Sequence, residues 1–152
     1  MKTLSKYLSL VTAMLLLGFS SLGQTQEDIF VEEQGYRVFY SVFNSAFLTP
    51  EVAAANGLVR ANDRAYLNIV VTQVTPEGQS LGLPASLKGS AANLMQQAQP
   101  LEFKEIREPT AVYYLAPIRH TNEEVYNFSV VVTPEGSEAA IEIKFSKKLY
   151  VE

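Results

Sequence analysis

Two apolar runs and the segment that joins them constrain this chain more than anything else in it. In the first, Tyr36-Arg37-Val38-Phe39-Tyr40-Ser41-Val42-Phe43, the residues Tyr36, Val38, Tyr40 and Val42 share one face, while Phe39, Phe43 and, further on, Phe47 lie on the other. The second runs from Ala65 to Val74 and sets Leu67, Ile69 and Val71 against Tyr66, Asn68, Val70 and Thr72. A period of two belongs to strands. Apolar residues on both sides of the first run mean that both of its faces are at least partly covered.

The segment between the runs predicts a short helix. Thr49 is a good N-cap, Pro50 suits a first helical position where its missing N–H costs nothing, and Glu51 favours the positive end of the helix dipole. Val52-Ala53-Ala54-Ala55 carries helix propensity, and Asn56-Gly57 supplies a left-handed exit. So short a helix is unstable alone and has to be held by packing. Phe47, Leu48 and Val52 are expected to plug the end of a sheet stack, with Glu51, Arg60 and Arg64 left outside.

Everything downstream reads as further strands. Thr75-Pro76-Glu77-Gly78 and Thr133-Pro134-Glu135-Gly136 place Pro second and Gly fourth, as a type I turn prefers; two hairpins of like chemistry explain the recurrence without a duplicated domain. Leu81 to Gly89 is expected to return as a strand with Pro84 at an edge or bulge, and Asn93 to Gln97 as a helical turn or loop. Leu101 and Phe103 alternate with Glu102 and Lys104, and Ala111 to Leu115, Tyr126 to Val132 and Ile141 to Phe145 continue the pattern. About seven or eight strands divided by turn signals predict an all-β, immunoglobulin-like antiparallel two-sheet sandwich with one short connector helix; a small β-barrel is the alternative. Tyr126, opening a strand after a polar corner, is the candidate for a tyrosine that bonds back across that corner.

Composition bounds location and partners. Lys2 and Lys6 precede an apolar run from Tyr7 to Phe19, and Ser21 and Gly23 suit a processing site, so residues 1–23 read as a secretory signal peptide and 24–152 as one β-sandwich domain. The mature part keeps 10 of the 12 basic residues against 16 acidic ones, a formal net charge of −6. That balance disfavours nucleic acid and anionic lipid, and after cleavage no segment is left to insert into a membrane. The chain has no cysteine, so stability must come from apolar burial and backbone pairing.

The run Tyr40-Ser41-Val42-Phe43-Asn44-Ser45-Ala46-Phe47-Leu48-Thr49-Pro50-Glu51-Val52-Ala53-Ala54-Ala55-Asn56-Gly57-Leu58-Val59-Arg60, with Phe103 to Glu108 and Tyr113-Tyr114-Leu115, resembles a small exported family of gammaproteobacteria, domain of unknown function four-four-two-six. The resemblance covers nearly the whole mature chain, and the connector is its most specific part. It implies a periplasmic protein without an assigned catalytic residue.

Reactive groups are sparse. His120 is the single histidine, and no Gly-x-Ser-x-Gly elbow marks an activated serine near any acid. His120 with Glu123 and Glu124 lacks the second imidazole or thiolate of most zinc sites and reads as a solvated turn. Glu102, Glu105 and Glu108 are interleaved with Lys104 and Arg107, as on an ion-paired sheet surface, and there is no Trp to serve as a sugar platform. No catalytic, cofactor or metal residue is therefore assigned. The reading is a non-catalytic binding or assembly module of the cell envelope, periplasmic, partnered by an envelope protein through Glu51, Arg60, Arg64 and Tyr114; the alternative is a small enzyme assembled from loop acids and hydroxyls. Intact-mass analysis of periplasmic protein should find a chain that begins at Gln24, whereas a full-length mass in the membrane fraction would refute export by cleavage.

Overall fold

In the computed structural model, which describes residues 29–152, both period-two runs are strands. The expected signal peptide and its cleavage site lie outside the described residues. The order is β1 (Phe30–Glu33), β2 (Tyr36–Asn44), helix α1 (Pro50–Asn56), β3 (Arg64–Thr75), β4 (Gly78–Gln79), β5 (Ala85–Asn93), β6 (Ala98–Pro100), β7 (Lys104–Glu108), β8 (Ala111–Arg119), β9 (Glu124–Pro134) and β10 (Ile141–Leu149). One sheet runs β1-β2-β3-β8-β7 with β4 on β3, and the other runs β10-β9-β5-β6. All pairs are antiparallel, and neither sheet closes into a barrel. The order β2-β3-β8-β7 over β10-β9-β5 is the A-B-E-D and G-F-C arrangement of an immunoglobulin-type sandwich.

The inner faces carry the residues that the alternation assigned to them. Val38, Leu67, Ile69, Val71 and Ile118 of the first sheet meet Phe128, Val130, Val132, Ile141 and Ile143 of the second. At the β2 and β10 side the contact is aromatic: Phe145 stacks on Tyr40 and on Phe128, with ring centroids 4.6 Å apart in each pair. Gly89 lies where β5 and β9 come together, since a Cβ there would stand 2.6 Å from the Ser129 carbonyl oxygen.

The outer face of the first sheet is apolar as well. Tyr66, Ile106 and Leu115 are buried there with Phe43, Leu48, Leu58 and Tyr113 packed on them. The connector thus lies across this face as a partial third layer, which corrects the expectation that it plugs the end of the sandwich: Leu48 turns inward, but Phe47 is 73% exposed. Its helix has the expected caps, with the Thr49 hydroxyl accepting from Val52 N at 3.3 Å and Gly57 left-handed at φ 60°. In that conformation the Gly57 N–H reaches back to the helix carbonyls.

Two other expectations shift by a few residues. Pro84 precedes β5, which extends to Asn93 and leaves a tight turn where a helical turn or loop was predicted; Asn93 Oδ1 accepts from Met95 N and Gln97 N, replacing the backbone bonds a helix would make. Leu101 is buried but lies in a non-strand passage, and regular pairing begins at Lys104.

Candidate interaction surface

Local hydrogen bonds pin the connector to the sheet at several points. The Ser45 hydroxyl donates to Ala61 O at 2.7 Å and accepts from Ala61 N at 2.9 Å, so the two limbs of the segment are tied together. The Tyr66 hydroxyl, from the strand below, accepts from Val59 N at 2.8 Å and donates to Val59 O at 3.1 Å. Lys104 Nζ donates to Asn56 O at the end of α1. A segment that is capped, tied and packed on aromatic rings is preorganised, and little ordering entropy remains to be lost when something binds it.

Along the connector Phe47, Val52 and Val59 are large and exposed, and so are Glu51 and Arg60. The Glu51 carboxyl is held below its ordinary range by its own backbone N–H, then by the Thr49 hydroxyl, with the Arg60 charge adding to the effect. Glu51 and Arg60 are therefore exposed charges on a fixed apolar platform. Arg64 is less available: it opens β3, is only partly exposed, and its Nε is buried without a partner.

Tyr114 does not belong to this surface. Counting along β8 puts Tyr114 on the same side as Val112, Ala116 and Ile118, so its ring points between the sheets and is 4% exposed. Its hydroxyl accepts from Ala85 N at 2.7 Å and donates to Glu105 Oε2 at 3.0 Å, which makes it a tie between strands of opposite sheets. Burial, and then the carboxylate of Glu105, raise its pKa. Of the adjacent pair, Tyr113 faces outward under the connector and donates to Glu108 at 3.1 Å.

The ends of β3, β5 and β8 and the start of β9 meet in a second polar centre that the sequence reading did not identify. The Tyr126 hydroxyl bonds to the Arg119 carbonyl at 3.1 Å, the expected tyrosine corner, and to Glu124 Oε2 at 3.1 Å. Glu124 also accepts from Thr121 N and Thr121 Oγ1, each at 2.9 Å, and from Asn93 Nδ2 at 2.9 Å. These donors, led by the Thr121 backbone N–H, pull the Glu124 pKa from its ordinary 4.5 down to about 2. Burial, reinforced by Glu124, pushes Tyr126 up to about 12. Beside them, His120 is 5% exposed, where a solvated turn had been expected. Thr121 and Glu124 stand three apart, the spacing of a hydroxyl and a carboxylate that cap one another; that was the available signal.

An open hollow of about 390 Å³ lies over this corner, lined among others by Asp63, Gln97, Arg119, His120 and Glu124. A second, of about 210 Å³, reaches His120 from the side of Phe47 and Tyr150. A third, of about 340 Å³, opens between the sheets at Tyr40, Val42 and Phe145. Among the described residues no three His, Cys, Asp or Glu side chains gather where they could hold a metal, and no helix is long and apolar enough to cross a membrane.

An immunoglobulin-type sandwich with a helical connector laid on its outer face is the class this geometry defines. The chain belongs to the family described as Domain of unknown function (DUF4426), whose model matches residues 31–152. Among solved structures it is similar to a DUF4426 family protein from Pseudomonas aeruginosa, at 32% identity and a TM-score of 0.70, covering 81% of this chain and 94% of that one. The fold is shared with FetP of uropathogenic Escherichia coli strain F11, expressed in the periplasm, at 10% identity, a TM-score of 0.57, and coverage of 81% and 93%. It is shared too with a copper-bound FetP variant carrying a Glu-to-Gln exchange, at 11% identity, a TM-score of 0.58, and coverage of 81% and 90%. No curated protein matches the chain.

Because the folded Glu124 is more acidic than the unfolded one, its bonds contribute stability above pH 4.5, and that contribution is lost as the pH falls from 4.5 towards 2. Acid titration of the melting temperature should therefore be steeper in this window for the parent than for Glu124→Gln; equal slopes would mean that the corner does not favour the carboxylate.

Proposed function

We propose that the protein is a non-catalytic binding or assembly module of the cell envelope, periplasmic after removal of its signal peptide, which engages an envelope protein through the outward side of the connector. The observation that carries this reading is that Phe47, Val52 and Val59 are each exposed along one segment fixed to the sheet, which also carries the exposed charges of Glu51 and Arg60. Apolar side chains held out by a rigid support and rimmed by charge are the anatomy of a protein-binding patch. Arg64 stands at the margin of the patch, and Tyr114 has no part in it. The periplasmic setting is supported by the apolar segment after Lys2 and Lys6 and by a neighbour in fold expressed in that compartment.

Copper does not come with the fold. FetP shares only the sandwich at this identity, and the described part of this chain offers one imidazole, no thiol and no three His, Cys, Asp or Glu side chains placed to hold a metal together. An enzyme is the second reading, but Glu124, the carboxylate of the polar centre, is engaged in structural hydrogen bonds that lower its pKa to about 2 and make it a weak base.

Glu51→Lys combined with Arg60→Glu, and separately Phe47→Ser, should lower the melting temperature only slightly, because these side chains are exposed and the main folded-state interaction lost is that of the Glu51 charge with the helix N-terminus. Recovery of the native partner with tagged protein from periplasm should fall for both. Undiminished recovery with both variants would remove the connector as the docking surface.

A further inference from the structure

Strand β10 ends the order of the second sheet and pairs only with β9 among the described residues. Its other edge is open along Ile141–Leu149. The phase of the ladder fixes which backbone groups face out there. Glu135 N donates to Pro84 O at 2.9 Å, so the odd-numbered residues of β9 bond to β5 and its even-numbered residues bond to β10. Val132 lies opposite Ile141 and Val130 opposite Ile143, so it is the odd-numbered residues of β10 that bond to β9. The N–H and C=O groups of Glu142, Lys144, Ser146 and Lys148 consequently point away from the sheet, with no backbone partner among the described residues.

An open edge of this length is a template for another strand, and the side chains along it select which one. Two copies of β10 laid antiparallel about a twofold axis at Phe145 set Glu142 opposite Lys148 of the second copy, and Lys144 opposite its Ser146. Every outward-facing residue then exchanges both backbone bonds with its counterpart. Moving the axis to Lys144 sets that lysine against itself, and moving it to Ser146 sets Lys144 against Lys148, so like charges reject both neighbouring registers. An axis between two residues puts outward groups opposite groups already bonded to β9. Within one chain Glu142 pairs with Lys144 at 2.6 Å and Lys148 with Glu123 at 3.1 Å; these are exposed ion pairs, which give way at small cost.

The hollow of about 340 Å³ between the sheets lies beside the same edge. Phe145, Ser146 and Lys147 of β10 line it, facing Tyr40 and Val42 of β2 and the exposed Ile29. It therefore opens at the middle of β10, where the axis passes, and a second strand there lies along its mouth and covers apolar surface that water otherwise meets. We infer that the protein forms a twofold dimer by antiparallel pairing of β10 with β10 of a second copy, centred on Phe145 and held in register by Glu142 and Lys148. The sheets β10-β9-β5-β6 of the two copies then join into one across the axis.

Sedimentation velocity of the purified chain from Gln24 to Glu152, over a concentration series spanning the micromolar range, should show a reversible monomer–dimer equilibrium. Lys148→Glu and Glu142→Lys each set like charges opposite one another at two places in the dimer and should weaken it by about tenfold or more. The double variant reverses both pairs and should return to within about threefold of the parent, a recovery that loss of the contacts within one chain cannot produce. All these side chains are exposed, so near-equal melting temperatures are expected and show that each variant is folded. A monomer at every concentration, a dimer that the single variants leave unchanged, or a loss that the double variant does not recover would each overturn the pairing. This reading and docking on the connector fail separately, because one is read on purified protein through Glu142 and Lys148 and the other by partner recovery through Phe47, Glu51 and Arg60.

Discussion

Strand β3 is buried on both of its faces, and most of the architecture follows from that. Its odd-numbered residues, Leu67, Ile69 and Val71, are fully enclosed between the sheets, so the second sheet has to lie against them. Its even-numbered Tyr66 points the other way and is equally enclosed, which a two-layer sandwich alone cannot achieve. Cover on that side comes from Leu48 and Leu58, brought there by the turn of chain that carries α1. Burying a large apolar side chain is worth roughly 1.5–3 kcal/mol, so leaving Tyr66, Ile106 and Leu115 bare would remove a sizeable part of a small domain's stability of ~5–15 kcal/mol. The connector is long because it must cross the sheet, and it is a structural layer before it is a candidate surface.

Seen this way the sandwich is a support with two differently equipped regions. One is the connector's outer side, apolar with a few charges, fixed by Tyr66 and Ser45. The other is the corner where β8 passes into β9, polar and closely bonded around Glu124. Asp63 joins them, since it follows the connector in sequence while its carbonyl accepts from His120 N at 3.0 Å.

Period-two alternation made the strands, the inward residues and the caps of α1 legible, because those features are local and each position's face follows from its neighbours. Residues brought together from distant parts of the chain were not legible in the same way. Asn93 and Glu124 are bonded across 31 positions, and nothing in either neighbourhood announces the other. Tyr113 and Tyr114 were separable only as a pair with opposite directions; which one faces the core depends on the register of β8 against β3, where Ile69 meets Tyr114. The connector's course across the sheet, and not over its end, was fixed by Tyr66 on the far strand, which the helix signals could not reveal.

The central claim is that the connector is a fixed layer of the fold and therefore a preformed surface. Native-state hydrogen exchange tests it most directly at the amides of Val59 and Ala61, which donate to the hydroxyls of Tyr66 and Ser45. If the connector is part of the cooperative unit, these amides will be protected to the same degree as those in the centre of β3 and will open only with it. Exchange of both near the rate of free peptide, with β3 still protected, would contradict the account.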